Sequence, residues 1–386
     1  MMLGVTTLSL IIWLYMTVFH HGFWKRREFL PGIPDISDKK HPSIISLTPA
    51  RNEAELIHES LGSVLTQSYT GSFHSILIDD SSHDNTAEIA LKAAQNLGKE
   101  NQLDIIQATE LPKGWSGKLW ALQTGLDHAE NCKLAADYYW LSDADIHHDP
   151  ITLVRLAQKA EENNAGLVSL MVTLNCKNAW EKRIIPAFIY YFQMLYPFQA
   201  VNNPKKTQAG AAGGCVLIKR EALDAIGGFH AIKDKLIDDC ELGKAVKKKG
   251  YKIWLGHGTE SHSRRGSSGL GDLWKMVTRT AFVQLNYSYI YLFGAILGMF
   301  IMYSVPVLAC LYGTLTSQWI LAGLGASAWT LMALTFWPTL KAYHRNRLEA
   351  FLMPLTAHLF MGMTLQAAWL HLRGRHSGWH DRVYTD

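Results

Sequence analysis

Tyr138-Tyr139-Trp140-Leu141 runs directly into Ser142-Asp143-Ala144-Asp145, and the reading of this junction decides the fold. Four large apolar side chains in a row read as a short buried strand, and the two carboxylates lie where that strand gives way to a tight turn. From one turn both can reach a single cation, and hard oxygen ligands of this kind suit Mg2+ or Mn2+. Acidic turns also arise as helix caps, Asp149-Pro150 being a candidate, so the reading depends on what surrounds the pair.

The same pattern repeats on either side. Ser43 to Leu47, Phe73 to Ile78, Leu103 to Gln107 and Gly166 to Met171 are further short apolar runs, separated by amphipathic stretches. Strands alternating with helices predict a parallel α/β sheet, with functional side chains at the carboxyl ends of the strands. Thr48-Pro49-Ala50-Arg51-Asn52-Glu53 closes the first strand and opens a helix. Asp79-Asp80 closes the second and is followed by Ser81-Ser82-His83-Asp84-Asn85-Thr86, a turn rich in helix-capping residues. Further on, Asp238-Asp239 precedes a lysine-rich helix, whose N-terminal dipole favours a carboxylate. A cap accounts for one aspartate, not for two.

The body that carries these motifs occupies only part of the chain. Of 386 residues, 37 are basic and 33 acidic, but Met1 to Trp24, Thr280 to Leu340 and Ala350 to Leu372 contain no Asp, Glu, Lys or Arg. A bilayer crossing takes about 20 apolar residues, so the middle block allows two spans and the outer blocks one each, and a wholly soluble enzyme is excluded. Leu8 to Phe19 is bulky and is followed by Lys25-Arg26-Arg27, which predicts an anchor rather than a cleaved signal. A net charge of +4 is too small to point to nucleic acid. Five cysteines without a CxxC fit a reducing cytoplasm, with neither a disulfide framework nor a zinc site.

The expected organisation is an anchor (1–24), a linker (25–42) that includes Pro31 to Pro34, a cytoplasmic catalytic domain (43–285), C-terminal transmembrane helices (286–372) and a basic tail (373–386). Lys25 to Arg27 and Lys341, Arg345 and Arg347 place both flanks inside, with four crossings. The tail then falls outside although it holds Arg373, Arg375 and Arg382. A re-entrant or interfacial late block, with three crossings, removes that conflict. Ile184 to Pro204 is also uncharged, but Pro186 and Pro197 leave about ten residues of helix between them, too short to cross. It is read as an interfacial or core segment.

Four strand-end carboxylate sites in this order resemble the family 2 glycosyltransferases, whose GT-A fold is a Rossmann-like nucleotide-diphospho-sugar transferase domain. Ser169 to Val172, Ile185 to Phe188, Leu195 to Phe198, Ala211 to Cys215 and Leu236 to Cys240 look in particular like the membrane-bound hopene-associated members of that family. The resemblance implies a bacterial inner-membrane, multi-pass enzyme with its catalytic domain in the cytoplasm. It implies transfer of a sugar with inversion from a nucleotide-sugar donor to a lipid, with a hopanoid as acceptor. Pro49, Glu53, Asp80, Lys118, Gly213 and Gly214 would meet the donor. Asp143 and Asp145 would hold Mg2+ or Mn2+ against its diphosphate, with His262 completing the metal shell, and Asp239, beside Asp238, would be the catalytic base. His257 and His262 also read as ordinary loop histidines.

Many membrane members carry Gln-x-x-Arg-Trp after the base. Here the stretch is Met276-Val277-Thr278-Arg279-Thr280, so only Arg279 remains as a donor-side contact, and processive polymer synthesis is disfavoured. The glycine-rich Gly266 to Gly271 is expected to be a flap. Trp115 and Trp274 are candidate stacking residues. The competing functions are a polyprenyl-phosphate or glycerolipid glycosyltransferase and an inactive scaffold of a lipid-synthesis complex.

Overall fold

The computed structural model describes residues 1–32 and 41–374. Residues 33–40 of the expected linker, including Pro34, and the tail residues Arg375 and Arg382 lie outside them. Among the described residues the chain forms two compact units, one within 27–175 and 200–266, the other of residues 1–26, 176–199 and 267–374. The sheet-containing unit thus ends at Gly266, and 176–199 belongs to the helical unit.

The first unit is built on one eight-stranded sheet: β1 (Ile44–Ala50), β2 (Phe73–Asp79), β3 (Leu103–Gln107), β4 (Tyr138–Ser142), β5 (Ile146–His148), β6 (Ala165–Thr173), β7 (Cys215–Lys219) and β8 (Lys252–Ser263), in the order β3-β2-β1-β4-β7-β6-β8-β5. All seven residues of β1 are buried, as expected of a strand covered on both faces. Trp140, Leu153, Leu170 and Leu217 form one side of the core, and Ile57, Leu61, Leu77 and Ala90 another.

The sheet is mixed, not parallel. β1, β2, β3 and β4 pair in parallel, but β7 is antiparallel to both β4 and β6, and β5 to β8. Alternation with helices fixes the direction of strands linked by simple crossovers, and the long excursion between β6 and β7 is not one. The antiparallel strand has a consequence for the site: Ser142 pairs with Cys215, so Gly213-Gly214 arrives where β4 delivers Asp143.

The second unit is helical. Tyr289–Leu315, Trp319–Ala342 and Arg347–Leu372 are long and apolar enough to cross a membrane. The N-terminal block forms a shorter apolar helix, Met2–Val18. Ala179–Leu195 is a single helix that runs through Pro186, so the expected break there does not occur. Tyr190 Oη bonds Thr335 Oγ1 at 2.8 Å, and Gln193 Nε2 lies 3.5 Å from Thr339 Oγ1, tying this helix into the unit.

Candidate active site

Three strand ends and two helix starts of the sheet unit converge on one cleft lined by Pro49, Lys118, Asp143, Gly213, Asp238 and Asp239. Ser116 caps helix Gly117–Asn131 by accepting from Leu119 N, which puts Lys118 in the first turn. A cation there opposes the helix dipole, so its position has to be sustained by partners. They are Asp143 Oδ1 at 2.8 Å and Asp238 Oδ2 at 3.4 Å. Burial works against the lysine charge, but Asp143, Asp238 and Asp239 outweigh it and raise its pKa.

Asp239 is held by two backbone donors. Gly213 N donates to Oδ2 and Cys240 N to Oδ1, each at 2.7 Å. Burial, reinforced by the neighbouring charge of Asp238 and opposed by Lys118, pushes its carboxyl up to about 6. A Cβ at Gly213 would lie 3.2 Å from Lys118 Nζ and 3.3 Å from Asp239 Oδ2, so a side chain there would push on both groups. At Gly214 a Cβ would meet Val172 at 3.0 Å, while its carbonyl accepts from Asp143 N at 3.4 Å.

The second carboxylate of the pair has different company. Asp145 Oδ2 accepts from Ser263 Oγ at 2.6 Å and lies 3.8 Å from Arg265 Nε, whose Nη2 bonds the buried Glu53. Burial raises the Glu53 carboxyl to about 7 against the pull of Arg265. Glu53 and the Asp pair, separate motifs in sequence, are thus bridged by one guanidinium. Behind the turn, Ser60 Oγ donates to the Ala144 carbonyl at 2.5 Å, and the buried His148 lies between Ser142 Oγ and Ser261 Oγ at 2.8 Å each. Burial lowers its pKa to about 3, so this imidazole is neutral. Ser263 and His148 carry no sequence signal of a site, and Arg265, which follows Arg264 in a basic pair, reads in sequence as a candidate lipid-headgroup contact until the chain places Glu53 against it.

Asp80 has no accessible surface and lies 3.7 Å from Arg51 Nη1. The junctions after β1 and β2 are laced together by Asn52 N to Ser82 Oγ, His83 N to Asn52 Oδ1 and Glu53 N to Thr86 Oγ1. Asn52 and Ser81 take positive φ there, 54° and 55°, a conformation that short polar side chains tolerate.

The remaining expected residues have the following surroundings. β8 pairs His262 with His147, and strand alternation turns it to the face opposite Ser261 and Ser263. His257 is buried, its N–H bonded to the Glu28 carbonyl and its ring against Phe29. Arg279 is exposed on helix Leu270–Ala281 of the helical unit. Trp115 is buried against Trp120 and His230, and Trp274 bonds Gln366. Nor is the glycine-rich stretch a free flap: Ser267 N donates to Glu181 Oε1 at 2.7 Å and Ser268 N to Asp272 Oδ2 at 2.8 Å. Among the described residues no three His, Cys, Asp or Glu side chains converge to hold a metal ion. What the site offers a cation is Asp143 and Asp145.

A mixed sheet with acidic strand ends around one cleft, alongside helices long enough for a bilayer, defines a GT-A-type membrane-associated glycosyltransferase. The chain belongs to glycosyl transferase family 21, whose model matches residues 5–384; this replaces the family 2 assignment. A poly-beta-1,6-N-acetyl-D-glucosamine synthase of Staphylococcus aureus is 30% identical over 248 residues, which are 63% of this chain and 55% of that protein, so the chain spans about half the length of this relative. A mannosyltransferase from Pyrobaculum calidifontis, solved in complex with GDP-Man and Mn2+, has a TM-score of 0.59 at 16% identity over 96% of this chain and 99% of that one. The second likeness is one of fold.

Proposed function

We propose that the chain is an inverting membrane glycosyltransferase that moves a sugar from a nucleoside diphosphate donor to the hydroxyl of a membrane lipid, with a hopanoid as the acceptor. The observation that carries this reading is the cluster of Lys118, Asp143, Asp238 and Asp239 in one cleft. Lys118 is positioned to neutralise charge on the departing diphosphate. Asp239 takes the proton of the acceptor hydroxyl as its oxygen attacks the anomeric carbon, and the bond from that carbon to the diphosphate breaks on the opposite face. A pKa raised by burial makes Asp239 a better base. Its two backbone donors hold it while each oxygen keeps a lone pair.

The carboxylates of Asp143 and Asp145 fit a divalent cation that brings its remaining ligands as water and donor phosphate, the habit of Mg2+. When bound, such an ion supplies further stabilisation of the leaving diphosphate. The Mn2+ and GDP-Man in the mannosyltransferase of similar fold support this assignment. The apolar helices and the basic flanks support a location in a bacterial inner membrane with the catalytic unit in the cytoplasm.

The experiment is transfer by purified protein in lipid, with a panel of nucleotide sugars, a total lipid extract and mass spectrometry of the products. A glycosylated hopanoid is the expected product; a glycosylated polyprenyl phosphate or glycerolipid would replace the acceptor, and donor that is neither bound nor consumed would leave only the scaffold. A second reading, a polysaccharide synthase, is favoured by the 30% identical relative. Its product would be a sugar polymer instead of a single addition.

A further inference from the structure

By length and hydropathy Arg347–Leu372 ranks with Tyr289–Leu315 and Trp319–Ala342 as a segment able to cross a bilayer. A crossing there would deliver Arg373 to the side opposite Ala342. The packing within the helical unit places the ends differently. Tyr289–Leu315 and Trp319–Ala342 run antiparallel at backbone distance: a Cβ on Gly313 would strike Ala322, and one on Gly325 would strike Pro306 and Cys310. Small residues permit such an approach in membranes. These pairings set Tyr289 level with the Ala342 end, and Leu315 level with Trp319.

Helix Met353–Leu372 is antiparallel to Tyr289–Leu315. Ser304 Oγ lies 3.1 Å from His358 Nε2, Leu292 packs with Ala367 and Ala368, and the Tyr287 ring stacks on His371 at 4.6 Å. Ala367 and Ala368, packed with Leu292, are therefore level with the Ala342 end, and the last turn of the helix reaches about one turn beyond it, to Tyr287. Its first turn lies deep: Trp329 Nε1 donates to the Phe351 carbonyl at 3.1 Å, and Trp329 is about 20 Å from Ala342 along its helix at about 1.5 Å per residue. Residues 343–351 climb that distance at about 2.2 Å per residue, within reach of a chain that includes a 3₁₀ turn. Trp319 lies about 15 Å further out.

We propose that residues 343–372 form a re-entrant hairpin that enters the lipid from the Ala342 side, turns at the depth of Trp329 and leaves on the side it entered. Its tip, about 20 Å deep, falls short of the far boundary of a hydrocarbon core about 30 Å thick. Leu348, Leu352 and Leu355 are 64%, 37% and 66% exposed, a surface suited to the acyl chains of one leaflet. Pro354 stands in the first turn of the returning helix, where no helical N–H is lost. Glu349 enters paired to Arg345 at 2.8 Å, so it carries no bare charge into lipid. Lys341, Arg345 and Arg373 then share one side, the distribution expected of a cytoplasmic face.

The test uses the full chain with a site-specific protease sequence inserted singly after Ser317, after His344 or after Asp386, in sealed inside-out vesicles. The His344 and C-terminal sites are expected to be cut together and the Ser317 site protected. A C-terminal site that behaves like Ser317 overturns the hairpin. Should an insertion disturb folding, a green fluorescent protein fused to the C-terminus decides: fluorescence is expected, whereas activity of an export-dependent phosphatase at that position refutes the inference. Depth is read with a fluorophore on Leu355→Cys. Stronger quenching by lipids labelled at mid-chain than at the headgroup is expected, and the reverse places the segment at the surface and refutes insertion.

Discussion

Replacing Lys118 by methionine keeps most of the side-chain volume and removes a cation that lies against both Asp143 and Asp238. The effect on Asp239 can be bounded from the geometry. A Cβ on Gly213 would lie 3.2 Å from Lys118 Nζ and 3.3 Å from Asp239 Oδ2, so about 6.5 Å at most separates the two charges. At that distance Coulomb's law gives about 0.6 kcal/mol in water and about 2.5 kcal/mol at an effective dielectric constant of 20. At about 1.4 kcal/mol per pKa unit this brackets one unit. Lys118 depresses the Asp239 pKa, so its loss raises it. The acid limb of kcat/KM, which reports the free enzyme's base and is expected near pH 6 in the parent, where burial puts the Asp239 carboxyl, is expected to move up by about one unit. The assay is kcat/KM between pH 5 and 8 in both proteins. An acid limb that stays fixed, or moves to lower pH while turnover persists, refutes the coupling of Lys118 to the base.

Further outcomes follow from the same geometry. Gly213→Ala pushes a methyl group between Lys118 and Asp239 and is expected to lower kcat at least tenfold with little change in thermal stability; unchanged kcat contradicts the close approach. Arg265→Met removes the guanidinium bonded to the buried Glu53, at a cost of about 1–3 kcal/mol. A buried carboxyl with a raised pKa is stable protonated and loses stability as pH rises. The melting temperature of this variant should therefore fall further below the parent at pH 8 than at pH 6, and equal losses at both contradict the assignment. Chelation of divalent ions is expected to abolish transfer, with Mg2+ or Mn2+ restoring it and Asp143→Ala needing more metal; full activity in chelator removes the metal from the account.

Much of this architecture is legible in the sequence because it rests on local chemistry. Tyr138 to Leu141 forms the expected strand, the Asp pair follows at its end, and Asp238-Asp239 opens a helix as the dipole argument requires. What sequence could not supply was pairing between distant segments. The antiparallel entry of β7, which brings Gly213 to Asp239, depends on an excursion through another unit. The face on which His262 falls is set by the register of β8, and the partner of Arg265 lies more than two hundred residues upstream at Glu53. Pro186 was read as a break because proline forfeits a helical hydrogen bond, yet the contacts of Tyr190 with its unit accompany a helix that continues through it.

The central claim is that Asp239 is the base for sugar transfer, and Asp239→Asn tests it most directly because the substitution keeps the shape and removes the proton acceptor. Donor binding by calorimetry and transfer by mass spectrometry are measured on the same preparation, with the parent alongside. The account predicts donor affinity within a few-fold of the parent and transfer reduced by at least a hundredfold. Transfer at the parental rate would contradict it.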